Sequence, residues 1–211
     1  MVLGSLYGAL DLRLFHLVNR DGGPLVDAGM RLLSSRASGI GFGVLLAAAL
    51  ALRLGREAAR SLVALAVALL IADFVGSHLV RPLFPRVRPC FALPPGTFRA
   101  VAAAANGPSL PSLHAANMFA LAWVVAWARP RLAPLAFLAA IAVAVSRVYL
   151  GVHWPSDVLA GALWGTFAAA VGRGFAGRAL EPRPAGRAPA AGRGADRHPK
   201  SSRSSSGGGA V

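Results

Sequence analysis

The chain predicts an all-α, polytopic transmembrane helical bundle of about five spans, preceded by N-terminal interfacial helices. Three observations carry that prediction. Only 14% of the 211 residues are charged, against about 25% in soluble domains. Hydrophobic residues make up 55% of the chain, and mean hydropathy is +0.57. The charges are also clustered, which leaves apolar windows of roughly 15–20 residues, near the length that crosses a bilayer core. In lipid such windows must be helical, because backbone polar groups there find no water.

Residues 3–19 carry apolar positions at helical spacing, interrupted by Asp11, Arg13 and His16, and residues 24–35 do the same around Asp27 and Arg31. Both stretches predict amphipathic helices lying at the membrane interface. Apolar spans follow at approximately 38–54, 61–80, 112–128, 132–149 and 156–173. Small residues run through them, Ala47 to Ala51 and Ala139 to Ala144 among them, which permits close helix packing. From about residue 177 the chain turns to Gly, Pro, Ser, Ala and Arg without periodicity, a composition that predicts disorder. The expected organisation is therefore residues 1–36 as interfacial helices, 37–176 as the membrane domain, and 177–211 as a basic tail.

The formal net charge of +14 does not point to nucleic acid. Of 22 basic residues, all but Lys200 are arginine, and no aromatic-interleaved basic patch accompanies them. Cys90 is the only cysteine, so no intrachain disulfide is possible. Arg53, Arg56 and Arg60 flank one short loop, Arg129 and Arg131 another, and Arg173 and Arg178 open the tail. Five spans thread all three clusters onto one side, which the positive-inside rule makes cytoplasmic.

The opposite side collects three polar blocks: Arg81 to Pro89, Pro111 to His114, and Ser146 to Asp157. In the third block His153 and Asp157 are four apart across the start of the last span, with Pro155 suited to a first helical turn. A carboxylate at that spacing can bond one imidazole nitrogen and leave the other free to attack. Arg147 offers a planar fork to phosphate oxygens. In the second block, Pro111 and Ser112 start a helix whose unpaired N–H groups favour an anion, and His114 could protonate a leaving oxygen. Simple capping by Ser112 is the plainer reading of that residue. In the first block, Arg81 and Arg88 could converge on one phosphate. Arg86 reads as an arginine snorkelling to headgroups. Asp73, inside a span, is a functional candidate by position, but structural pairing with Ser77, His78 or an arginine is the plainer reading. Trp123 and Trp154 read as interface anchors or packing residues.

Together and in this order, the blocks resemble the three signature motifs of the type 2 phosphatidic acid phosphatase superfamily: Lys-x6-Arg-Pro, Pro-Ser-Gly-His and Ser-Arg-x5-His-x3-Asp. The third motif matches in full; Arg81 stands where Lys is usual and Leu113 where Gly is usual. The arrangement of helices is similar to the bacterial undecaprenyl-pyrophosphate phosphatase branch. The resemblance implies a metal-independent, cofactor-free lipid phosphatase of the cytoplasmic membrane with its site on the extracytoplasmic face. It implies His153 as nucleophile, forming a phosphohistidine, Asp157 orienting it, and His114 as general acid. Arg81, Arg88, Ser112 and Arg147 would bind the phosphate, helped by the Leu113 N–H. The expected partners are a lipid phosphate (undecaprenyl pyrophosphate, phosphatidic acid or phosphatidylglycerol phosphate) and membrane lipids. A phosphotransferase would use the same residues, and a non-catalytic membrane binding protein would keep the arginines without the His153–Asp157 pair.

Overall fold

A computed structural model describes residues 2–52 and 55–180, with side chains from residue 8 onward. Arg53 and residues 181–211, most of the expected tail, lie outside the described residues. The described chain is helical, without strands. The helices are α1 (Val2–Val18), α2 (Gly23–Leu33), α3 (Arg36–Ala51), α4 (Arg56–Leu83), α5 (Pro89–Ala92), α6 (Leu113–Ala128), α7 (Pro130–Tyr149) and α8 (Pro155–Ala179). Each of the five expected spans has its helix. Three of them, α4, α7 and α8, are long and apolar enough to cross a membrane. The α2–α3 pair, bent by 53°, is a fourth candidate as one broken span, and α6 is a shorter apolar helix.

Local chemistry sets the helix starts. Gly23 has φ +81°, and its N–H is held by Asp21 Oδ1 at 2.9 Å, turning the chain into α2. The Ser35 hydroxyl accepts from the Ser38 N–H at 3.0 Å and caps α3. Pro155 occupies the first turn of α8, where a missing N–H costs nothing. The middle of α4 departs from the expected α-helix: Leu70–Val80 forms π-type turns, and the Arg81 N–H reaches back to Gly76 O. Such turns take an extra residue each and so re-aim the side chains beyond them.

The core is a seam of small residues. Ala68 and Ala72 of α4, Ala116 and Ala120 of α6, and Ala168 and Ala169 of α8 are fully buried together. Gly161 and Gly165 let α8 press against α6 so closely that a Cβ at either would run into the Ser112 or Ala116 carbonyl oxygen. This contact positions the site, because one helix begins at the second polar block and the other at the third. Phe15 of α1 is fully buried against Val148 and Trp154.

The long segment between α5 and α6 is tied to the N-terminal helices. Asn19 donates to the carbonyls of Arg99 (3.0 Å) and Tyr149 (2.7 Å) and accepts the Arg99 N–H at 2.7 Å. Arg99 pairs with Asp27 at 2.9 Å, and the Tyr149 hydroxyl donates to the same carboxylate at 2.5 Å. Arg99 Nη1 also donates to the Tyr149 hydroxyl at 3.3 Å, and that bond, with the Asp27 pair, raises the pKa of Arg99 further above the ordinary arginine value. Arg31 Nε donates to Val101 O at 3.1 Å. Trp154 serves packing: it lies 5.4 Å from the Phe15 ring and donates to Val87 O at 2.9 Å. Trp123 likewise bonds Thr166 Oγ1 at 3.0 Å within the bundle.

Candidate active site

The polar blocks meet at a cavity of about 860 Å³. Arg81, Arg88, Leu113, His114, Arg147 and His153 line it. Ser112 and Asp157 do not reach its wall; both are fully buried behind it. The plainer reading of Ser112 as a side-chain cap does not hold: the hydroxyl makes no cap bond and has no partner among the described residues. Instead the Ser112 N–H donates to Asp157 O at 2.9 Å, which ties the start of α6 to the start of α8.

His153 owes its place to the turn between α7 and α8. Gly151 has φ +79°, a conformation that L side chains rarely adopt, and its Cα side faces Arg99 O and Asn19. The turn is closed by Val152 N–H and His153 N–H, which both donate to Arg147 O at 3.2 and 3.3 Å. Beyond it, Asp157 Oδ2 accepts the Trp154 N–H at 2.9 Å. His153 Nδ1 lies 3.4 Å from the same oxygen, close but long for a formed hydrogen bond. Arg88 Nη1 stands 3.1 Å from His153 Nε2. A guanidinium has no acceptor, so Nε2 accepts, and the imidazole proton sits on Nδ1, facing Asp157. Burial pushes the His153 pKa down to about 4; Asp157 opposes that shift, and Arg88 and Arg147 reinforce it. The imidazole is therefore neutral near pH 7.

The arginines are held in different ways. Arg88 is almost fully buried, with hydrogen bonds from Nε to Gly107 O (3.2 Å), from Nη1 to Val152 O (3.1 Å) and from Nη2 to Pro108 O (3.4 Å). Burial lowers its pKa, yet a guanidinium stays charged. Arg81 Nε donates to Pro111 O at 3.2 Å, and Arg147 bonds the hydroxyl of Ser34 at the end of α2. Arg81, Arg88 and Arg147 all line the one cavity.

Arg86 is not the snorkelling arginine that its position suggested. Its fork reaches Asp157 Oδ1 (2.9 Å) and Ser156 Oγ (2.5 Å) through Nη1, and Asp11 Oδ2 (2.5 Å) through Nη2. Asp11 is correspondingly buried rather than solvated on the polar face of α1. Its other contacts are the Ser156 N–H at 2.9 Å and the Ser156 hydroxyl at 2.5 Å. Among the described residues Asp73 pairs with none of its expected partners; its Oδ1 accepts from Asn117 Nδ2 at 3.0 Å, and both side chains line the cavity. Ser77 and His78 bond each other at 2.8 Å instead. A fourth arginine, Arg36 at the start of α3, also lines the cavity. It lies outside the three blocks and carries no local sequence signal. Among the described residues no three His, Cys, Asp or Glu side chains converge as metal ligands.

An independent comparison matches the profile of the PAP2 superfamily to residues 61–179, which span all three blocks. A lipid A 4'-phosphatase of Bacteroides thetaiotaomicron is 36% identical over 112 residues, 50% of this chain and 49% of that protein. A putative undecaprenyl-diphosphatase, YbjG of Escherichia coli K12, is 40% identical over 113 residues, 53% of this chain and 55% of that protein. The chain thus matches about half the length of these relatives. The crystal structure of Aquifex aeolicus LpxE superposes with a TM-score of 0.65 at 25% identity, covering 77% of this chain and 94% of LpxE. A PAP2-type phosphatidylglycerolphosphate phosphatase from Bacillus subtilis shares the fold, with a TM-score of 0.56 at 21% identity over 82% of this chain and 87% of that one. With the polar blocks gathered at one cavity and a matching profile over more than half its length, this membrane-spanning helical chain belongs to the PAP2 superfamily.

Proposed function

We propose that the protein is a membrane lipid phosphatase that hydrolyses a phosphomonoester or pyrophosphate of a lipid through a phosphohistidine. One observation carries the reading: a neutral imidazole, backed by a buried carboxylate, faces a cavity lined by Arg81, Arg88 and Arg147. The arginines would take the non-bridging phosphate oxygens, for which a planar fork is well matched. In doing so they would draw Arg88 off the Nε2 lone pair. Nε2 then attacks phosphorus, forming the N–P bond as the P–O bond to the lipid breaks. His114, on the same wall, gives its proton to the departing oxygen. Water next attacks the phosphohistidine, His114 takes a proton from it, and phosphate leaves with His153 restored. Asp157 stabilises the imidazolium character that Nδ1–H acquires during transfer. Leu113 presents its N–H at the start of α6 despite lacking the usual glycine.

The relatives' names, lipid A 4'-phosphatase and undecaprenyl-diphosphatase, support a lipid carrying a phosphate or diphosphate as substrate. The arginine clusters at the opposite helix ends support a site on the extracytoplasmic face of the cytoplasmic membrane. The test is phosphate release by the purified full chain, in detergent, from undecaprenyl diphosphate, phosphatidic acid and phosphatidylglycerol phosphate. Release from at least one, abolished in a folded His153→Ala variant, is the expected result. No release from any lipid phosphate, or release unaffected by that substitution, would overturn the reading. Cys90 tests sidedness, since it lies beside Arg88 and is half-buried. Burial raises its thiol pKa, so labelling with an impermeant maleimide belongs at mildly alkaline pH, with a detergent control. Labelling of intact cells is expected; labelling only after permeabilisation would reverse the orientation.

A further inference from the structure

Arg86 and Asp11 form a second layer behind the site that none of the polar-block chemistry requires. We propose that the Asp11–Arg86 pair is a positioning device that sets how much of the Asp157 charge His153 feels. The statement rests on the phosphatase reading only for its kinetic readout.

The geometry gives each member one task. Asp157 is fully buried and has two oxygens in use. Oδ1 takes Arg86 Nη1 at 2.9 Å, while Oδ2 takes the Trp154 N–H and faces His153 Nδ1. The carboxylate is therefore shared between a cation and an imidazole. Whatever Arg86 neutralises is withdrawn from His153. Arg86 is in turn divided, because Nη2 is held by Asp11 at 2.5 Å while Nη1 holds Asp157. Asp11 is nearly as buried as Asp157, and a buried carboxylate is costly without a cation. Ser156 completes the ring: its hydroxyl accepts from Arg86 and donates to Asp11, and its N–H donates to the other Asp11 oxygen. Asp11 thereby anchors the first turn of α8, the turn that carries Asp157. Arg86 also lies over the Trp154 ring at 5.4 Å, which fixes the plane of its fork. Asp11 belongs to α1, outside the 61–179 segment matched by the superfamily profile, so the first helix contributes to the site, as the chain at the α2–α3 junction does through Ser34 and Arg36.

The remaining groups that act on His153 do not duplicate this role. Arg88 stands at its Nε2, Arg147 is a second cation that acts on it, and His114 lines the same cavity. Asp157 is the sole acidic group that touches it among the described residues.

The signs follow. Arg86→Gln removes the competing cation, so the full charge of Asp157 acts on His153 and its titration moves up, by about one pH unit or more. Asp11→Asn leaves Arg86 undivided on Asp157, so the titration moves down. Arg86→Lys keeps the charge near Asp157 but loses the bidentate bridge. It should keep the His153 titration near that of the parent protein while lowering turnover. In Asp11→Asn/Arg86→Gln the shift should equal that of Arg86→Gln alone, since Asp11 acts through Arg86. The readout is the His153 imidazole in nitrogen-15 histidine spectra of the full chain in detergent across pH, with kcat/KM profiles alongside. The spectra need no turnover, so they test the device even if the phosphatase reading fails. An upward shift in Arg86→Gln with none in Arg86→Lys supports it. Equal titrations in all variants, with rates reduced uniformly, would overturn it and leave the pair a purely structural tie. Should Arg86→Gln not fold, Asp11→Asn decides: a lowered titration in a folded protein supports the proposal, and an unchanged or raised one contradicts it.

Discussion

Gly151→Ala should damage the site without touching a single charged group. Gly151 sits two residues before His153 with φ +79°, and an alanine held in the left-handed region costs roughly 1–2 kcal/mol. Space is lacking as well. A Cβ there would stand 2.7 Å from Arg99 O, where ordinary contact begins near 3.4 Å. About 0.7 Å must therefore be found by moving backbone against backbone, at a further cost of about 1–3 kcal/mol. The displaced partner cannot yield freely, because the Arg99 carbonyl and N–H are both held by Asn19. The turn itself must move, and it carries His153. Together these give about 2–5 kcal/mol of destabilisation. A misplacement of this size at the nucleophile lowers the rate by about tenfold or more, given that about 1 Å can cost 10²-fold. The assay pairs the thermal unfolding midpoint in detergent with phosphate release from a short-chain lipid phosphate. Gly174→Ala in α8 is the control, since a Cβ there meets nothing closer than 3.8 Å. A Gly151→Ala protein with parental midpoint and parental kcat/KM would refute the claim that this turn holds the histidine in place.

Further outcomes follow from the same geometry. His114→Ala should remove most of the activity, about 10²–10⁴-fold, the usual worth of a positioned general acid. The loss should be smaller for a substrate with a good leaving group, and an equal loss for both would argue against proton donation. Burial holds the His153 pKa at about 4, below its ordinary 6.5, so the nucleophile is neutral above that value and is lost only as pH falls through it. In nitrogen-15 histidine spectra His153 should titrate near 4; titration near 6.5 would contradict the buried, arginine-flanked environment. Activity should persist in excess EDTA, as expected for phosphate bound by arginines and helix N–H groups; loss on chelation, restored by a divalent cation, would contradict that. Arg36→Ala should raise KM for an anionic substrate with little change in kcat, because Arg36 lines the cavity and, among the described residues, is bonded to neither His153 nor Asp157. A large drop in kcat alone would assign it to the chemical step.

The membrane class, the five helices and the six cavity-lining motif residues were legible in the sequence, because each signal is local. Apolar runs announce helices by length, and each polar block is a contiguous string at a helix end. The order of the blocks forces them to one face before any packing is known. What escaped was long-range. Arg86 looked like a snorkelling residue because its partner Asp11 is 75 positions away, on a helix whose polar residues read as solvated. Ser112 resembled a cap because capping residues are serines, but α8 approaches so closely through Gly161 that the residue is fully buried. Asp73 found Asn117 across a helix interface rather than its neighbours in sequence. The π-type turns of Leu70–Val80 have no periodicity signature that composition could carry. Arg36 was one arginine among 21, and only the cavity separates it from the rest.

The central claim is that His153 becomes covalently phosphorylated, and mapping the phosphoryl group tests it most directly. Purified protein would be mixed with a lipid labelled in its terminal phosphate and quenched within a single turnover in alkali, which preserves phosphohistidine. Peptide mapping would then locate the label. The account predicts label on the peptide containing His153, attached to the imidazole through Nε2 and absent from His153→Ala. Label on another residue, or a single turnover that releases phosphate with no protein-bound label at any time, would contradict it.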